Sequence, residues 1–292
     1  MMYGVASMTA PLRRVALRRP GPALLGADPA AWHYGPRFDP GRAAAEHAAF
    51  AKLLAESGVE LLWMEGEDRG IADSVFTYDA SLMTPAGAIL LSPGKPLRSG
   101  EQELHRAFYA AQGIPLIGEL TGDARAEGGD TLWLDARTLA VGRGFRTNQA
   151  GIEQLAALLA PAGVTVHAFD LPVHRGAAAC LHLMSLISLV DQRRALACVR
   201  LLPVGLWELL RRLDYELIEA PHAEFEASAT LSVNVLAVAP GRCVMVEGFP
   251  ETRGRLEAAG IEVRVFEGTA LCLACEGGPT CLTRPILRRD QP

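Results

Sequence analysis

The sequence predicts a single α/β domain in which about five strand–strand–helix–strand units close into a ring, and three observations predict it. Five segments carry helical apolar spacing at a nearly regular interval. Four of the five helices are followed at once by glycine and then by a short β-rich strand. Before helices two to five lies a pair of apolar strands joined by a turn, where a doubly wound sheet would have single strands.

The helical segments are 42–57, 100–112, 147–162, 203–213 and 250–259, so their starts are 58, 47, 56 and 47 residues apart. The junctions after them read SGVELLW, QGIPLIG, AGVTVHA, LDYELIE and AGIEVRV. Gly58, Gly113, Gly163 and Gly260 stand where a left-handed residue ends a helix, a conformation that glycine enters without steric cost. The strand pairs include SVFTYDASLM–TPAG–AILLS, TLWL–DART–LAVG and LSVNVLAVAPGRCVMVEG. The segment 271–287 is expected to close the ring against an N-terminal strand near Val15–Leu17. Residues 1–14 are read as a flexible N-terminus, 15–287 as the domain and 288–292 as a C-terminal tail.

Composition narrows the function. Half of the 292 residues are hydrophobic and 21% are charged, a globular balance with ample core material. The net charge of −5, without a basic stripe, argues against nucleic acid, and no apolar run is long enough to span a membrane. The N-terminus does not read as a secretory signal, and six cysteines are too sparse for a disulfide framework, so a cytoplasmic location is expected.

Four segments bring polar or reactive groups to strand ends and turns. They are ADSVFTYDASL with Asp73, Tyr78 and Asp79; AEGGD with Glu127; LHL with His182 heading an apolar strand; and EGGPTCLTRP with Cys281. A Gly-Gly-Pro turn allows close backbone approach and would hold the thiol at a loop mouth, although free cysteines are often small buried hydrophobes. A thiol with a histidine elsewhere in the chain suits a nucleophile and its base. An imidazole among apolar neighbours needs a hydrogen-bond partner, which Glu127 could supply. Asp79 either points to solvent or pairs with a bound cation. Cys272 and Cys275 form a lone CxxC, which reads as packing because no second ligand pair lies close and the segment does not open a helix. The stretch 20–41 is either a flap over the site or a surface linker.

As an ordered set running from about Val15 to Ile286, the motifs ADSVFTYD, PLRSGE, AEGGD, VGRGFRTNQAG, CLHL and GGPTC resemble the guanidine-modifying enzymes: dimethylarginine dimethylaminohydrolases, arginine deiminases and amidinotransferases. The resemblance implies a five-bladed α/β-propeller, or pentein, and a reaction that uses no cofactor and no metal. It implies that Cys281 attacks the guanidinium carbon, that His182 moves protons, and that Glu127 and Asp79 hold the guanidinium nitrogens. Arg98 and Arg146 match arginines that grip a substrate carboxylate, and Asp73 matches a residue near the substrate amino group. Met184 stands where deiminases and amidinotransferases typically carry Asp, leaving apolar room for N-alkyl groups. Tyr78 stands where the dimethylaminohydrolases usually carry an acid, which points to a different substituted guanidine or to a ligand without the usual α-amino group.

The expectation is a hydrolase that converts Nω-methylated arginine to citrulline and a methylamine through a covalent thiouronium. The alternatives are an arginine deiminase or amidinotransferase, and a guanidine-binding propeller without turnover. The partner expected is a small guanidino molecule, with a homodimer admitted.

Overall fold

A computed structural model describes residues 2–176, 179 and 181–289. Cys180, the first residue of the CLHL motif, and the last three residues of the expected tail lie outside them. The strands in chain order are β1 (Leu12–Leu17), β2 (Glu60–Trp63), β3 (Ser81–Thr84), β4 (Gly87–Leu90), β5 (Leu116–Glu119), β6 (Thr131–Asp135), β7 (Thr138–Arg143), β8 (Thr165–Asp170), β9 (Ile187–Asp191), β10 (Arg194–Ala197), β11 (Glu216–Glu219), β12 (Leu236–Ala239), β13 (Arg242–Val246), β14 (Glu262–Phe266) and β15 (Arg284–Arg288). They form five three-stranded sheets: β15-β1-β2, β3-β4-β5, β6-β7-β8, β9-β10-β11 and β12-β13-β14.

Each sheet has the same plan: an antiparallel pair, then a helix that returns the chain so that the third strand runs parallel to the second. A hairpin needs only a tight turn, whereas a parallel neighbour needs a crossover, which is why one helix falls in each unit. The first unit is made from both ends of the chain. β15 pairs antiparallel with β1, and β1 pairs parallel with β2, so the last strand closes the ring on the first. The architecture is the five-bladed α/β-propeller expected from the repeat.

The five repeat helices lie at Pro40–Glu56, Gln102–Ala111, Gln149–Leu159, Val204–Arg212 and Pro250–Ala258, within a few residues of the periodicity. Gly58, Gly113, Gly163 and Gly260 all have positive φ, from 64° to 81°. After the fourth helix Asp214 takes that conformation itself, at φ 57°.

Four local expectations are corrected. The first strand begins at Leu12 and includes Arg13 and Arg14, and the preceding residues are tied in as well: Gly4 N donates to Ile286 O at 2.7 Å, and Val5 and Met8 are buried. His182 does not head a strand. It caps a short 3-10 turn, Leu183–Ser185, because Ser185 Oγ accepts from its backbone N–H, and β9 starts only at Ile187. Asp79 is not on the β-run expected over SVFTYDASLM, since Ala72–Val75 is a 3-10 turn and β3 begins at Ser81. The CxxC segment is helical after all: a π-helical turn spans Thr269–Leu273, with Glu46 accepting from Ala270 N and Leu271 N at its start. No helix among the described residues is long and apolar enough to cross a membrane.

Candidate active site

Turns from all five units meet in one cavity. Its wall includes Asp73, Tyr78, Asp79, Lys95, Arg98, Gly129, Arg146, His182, Met184, Asn234 and Cys281. Trp32 and His33 also line it, so part of the 20–41 stretch covers the cavity, and Gly35 N holds that stretch down by donating to Ala274 O at 2.7 Å.

Glu127 lies fully buried behind the wall. Its Oε2 is 2.6 Å from His182 Nε2, and its Oε1 accepts from Gly94 N at 2.8 Å and Lys95 N at 3.1 Å. Arg146 Nη1 lies 3.3 Å from both oxygens. Burial alone would push this carboxyl up, but the hydrogen bond and charge of His182, with Arg146 and Arg98 beyond it, hold it well below the usual carboxylate range. The AEGGD motif makes the contact with His182 possible. A Cβ on Gly129 would lie 2.4 Å from His182 Nδ1, so only glycine lets the ring lie flat against the turn. The motif's last residue, Asp130, accepts from Leu183 N at 2.9 Å and from Thr147 Oγ1 at 2.6 Å, which anchors the turn after His182 to the turn carrying Glu127.

Asp79 uses both oxygens to stay in place: Oδ1 accepts from Gly129 N at 2.8 Å and Oδ2 from Arg98 Nη1 at 2.5 Å. A carboxylate has about four acceptor positions, so capacity remains for a ligand. Asp79, Glu127 and His182 each bring one polar atom within 4.8 Å of the others. These three could hold a metal ion. A guanidinium meets the same negative charge and the same acceptors, and it is planar with several N–H donors.

Cys281 stands across this group at the end of the EGGPTC turn. Its carbonyl accepts from Tyr78 N at 3.1 Å, which ties the first motif to the last. Asn234 Nδ2 donates to the sulfur at 3.2 Å, while Asn234 Oδ1 accepts from Thr280 N at 3.0 Å. A Cβ on Gly278 would lie 2.5 Å from Asn234 Cγ, so this glycine too is a close approach. Burial pushes the thiol up to about 11 and Asp79 adds to the rise, while His182, the Gly278 amide and Asn234 pull the other way. The resting sulfur is therefore protonated at neutral pH, and a cation at Asp79 would lower the cost of ionising it.

Three residues have partners that differ from expectation. Arg98 is not an open fork for a substrate carboxylate: it is buried, with Nε and Nη2 on Glu101 at 2.5 and 2.7 Å, Nη1 on Asp79 and Nη2 also on Phe76 O. Desolvation is outweighed by Glu101 and Asp79, which hold its charge firmly. Its geometry fits bracing Asp79. Tyr78 reaches the wall, but its hydroxyl donates to Met8 Sδ at 3.7 Å and Arg284 covers its ring at 4.0 Å, so the phenol's polar end is engaged in the core. Asp73 is paired with Lys95 Nζ at 2.6 Å and with Tyr34 Oη at 2.7 Å.

Sequence reasoning missed Asn234, Lys95 and Glu101. Asn234 carried a usable signal, because an amide between Val233 and Val235 in an apolar run is costly unless partnered.

Comparison with known proteins finds relatives over most of the chain. The arginine deiminase family model matches residues 71–205. An uncharacterized protein of Aeropyrum pernix is 27% identical over 259 residues, which cover 86% of each chain. The dimethylarginine dimethylaminohydrolase of Pseudomonas aeruginosa is 25% identical over 249 residues, covering 84% of this chain and 89% of that one. A cysteine-to-serine mutant of the Pseudomonas enzyme, solved with citrulline, superposes with a TM-score of 0.75 at 22% identity, over 94% of this chain and 98% of that one. The ring of five sheets, the shared cavity and these relatives lead to one assignment: the chain belongs to the pentein superfamily of guanidino-group-modifying enzymes.

Proposed function

We propose that the protein hydrolyses the C–N bond of a substituted guanidinium group, with Cys281 as nucleophile and His182 as acid and base. The observation that carries the reading is that His182, which shares the cavity wall with Cys281 and Asp79, is held from behind by Glu127 at 2.6 Å. Guanidinium is a poor electrophile, so catalysis must come from positioning and from charge that is already oriented. Asp79 and Glu127 supply both by accepting from the guanidinium nitrogens.

In the first step the Cys281 sulfur bonds to the guanidinium carbon as its proton passes to His182. The tetrahedral adduct then breaks its bond to the substituted nitrogen, which leaves as a neutral amine after taking the proton from His182. The thiouronium that remains is attacked by water, deprotonated by His182, and collapses to a ureido product and the free thiol. Asn234 fits a positioning role at the sulfur, since it donates to Sγ and fixes the Thr280 amide beside it.

The Nω-methylated guanidinium expected from the sequence is supported by Met184, a buried apolar side chain in the cavity wall that would pack against alkyl groups. The same reading keeps the enzyme in the cytoplasm, where its free cysteines remain thiols. A turnover screen of arginine, monomethylarginine, dimethylarginine and short guanidino acids, scored for ureido product and released amine, tests the proposal. Amine release from an Nω-substituted guanidine, lost in Cys281→Ser, is the expected result. Ammonia release from arginine alone would replace it with a deiminase, and turnover retained in Cys281→Ser would remove the nucleophile.

A further inference from the structure

Asp73 has both carboxylate oxygens occupied by the chain itself. Tyr34 donates to Oδ1 at 2.7 Å and Lys95 Nζ to Oδ2 at 2.6 Å. Both sides of the ion pair are withdrawn from solvent, with the Lys95 side chain 16% exposed and that of Asp73 8%. The Lys95 ammonium also lies 3.4 Å from Trp32 O and 5.4 Å from the centre of the Trp32 ring. Its main-chain N–H is bound to Glu127, the carboxylate that holds His182, so the lysine is fixed to the catalytic framework. Trp32, Asp73 and Lys95 all line the cavity that contains Cys281.

This arrangement bears on the ligand's far end. A substrate ammonium seeking Asp73 would meet Lys95 already there, and two cations sharing one desolvated carboxylate repel. A ligand carboxylate meets the opposite situation. An ammonium has three donors, and two of those on Lys95 are accounted for by Asp73 and Trp32 O. Arg146, in the same wall, is already paired with Glu127, which leaves Lys95 as the cation for that end. Asp79 thus offers acceptor positions at one place in the wall, and Lys95 a third N–H donor at another.

We infer that the ligand is a guanidino acid with no free ammonium beside its carboxylate, and that Lys95 is the specificity-determining residue that selects for it. The inference rests on the guanidino reading of the Cys281 site. It assigns Asp73 the task of holding Lys95 rather than of binding substrate.

The test pairs dimethylarginine with its analogue in which hydrogen replaces the α-ammonium. Binding of each to Cys281→Ser is measured by calorimetry, and turnover of each by the wild-type chain. The deaminated acid should bind tighter by roughly ten- to hundredfold, the scale of a hydrogen bond between charged groups. Lys95→Ala on the same background should reverse the order, weakening the acid and strengthening dimethylarginine, while Lys95→Arg keeps it. A merely structural lysine would shift both ligands alike, and that result overturns the inference. Dimethylarginine bound and turned over as well as its analogue overturns the inference and leaves the hydrolase reading standing. Binding and turnover of neither compound would sink both.

Discussion

His182 Nε2 and Glu127 Oε2 lie 2.6 Å apart, and the other oxygen of Glu127 is held by two consecutive main-chain amides, Gly94 N and Lys95 N. The carboxylate is thereby fixed from one side by backbone and turned to the imidazole on the other. A group that both orients the ring and faces the guanidinium should affect chemistry more than folding. Glu127→Gln keeps the shape and removes the charge, so kcat should fall on the order of 10²–10⁴-fold. Steady-state kinetics with circular dichroism check this. An unfolded variant or near-normal kcat would contradict it.

The thiol raised to about 11 sets a pH dependence. Thiolate is the reactive form, and the raised value means that it is scarce at neutral pH and grows as pH rises towards 11. Alkylation of Cys281 by uncharged iodoacetamide should therefore accelerate roughly tenfold per pH unit between pH 7 and 9. A cationic haloamidine, which brings its own charge to Asp79, should react faster at pH 7 and with a shallower slope. Mass spectrometry of the labelled peptide reads both. Equal slopes would mean that the bound cation does not drive ionisation.

Asn234 touches the sulfur with one end of its amide and the Thr280 N–H with the other. Asn234→Ala removes both contacts and leaves a buried N–H without a partner, at about 1–3 kcal/mol. Thermal unfolding should show that loss, and kcat should fall about tenfold or more as the thiol loses its donor. The pH profile separates the two effects: a positioning role moves the ascending limb set by the Cys281 thiol to higher pH, and a purely structural one leaves it in place.

How much of this was legible from residues alone follows from the range of the interactions. The five helices and their glycine stops rest on contacts within a few residues, and apolar periodicity reports such contacts directly. The strand pairs before helices two to five are equally local. The turn at His182 is different, because it is held by Ser185 Oγ nearby and, through Leu183 N, by Asp130 more than fifty residues earlier. An apolar run there reads as strand, and nothing local contradicts it. Arg98 and Tyr78 enter through the family resemblance, and which way their polar ends turn depends on Glu101, Met8 and Arg284. Lys95 sits in a Gly-Lys-Pro loop with no periodic signal, and its partner Asp73 lies in a different turn.

Gly129 offers a steric test of the same site. A Cβ there would lie 2.4 Å from His182 Nδ1 and 2.7 Å from Cγ, so Gly129→Ala must displace the ring. A displacement of about 1 Å at a catalytic group costs on the order of a hundredfold in rate. Kinetics should show that loss while the unfolding temperature moves little, because His182 is at the cavity wall. Full activity in Gly129→Ala would mean that the ring has room the geometry denies it.

If Cys281 and His182 work on one guanidinium carbon, a covalent intermediate forms on the sulfur and can be trapped. Acid quenching during turnover of an Nω-substituted guanidino substrate, followed by intact-mass and peptide analysis, should find an amidino adduct on Cys281, with His182→Ala altering its yield. Turnover with no adduct at Cys281, or an adduct on another residue, would rule out Cys281 as the nucleophile.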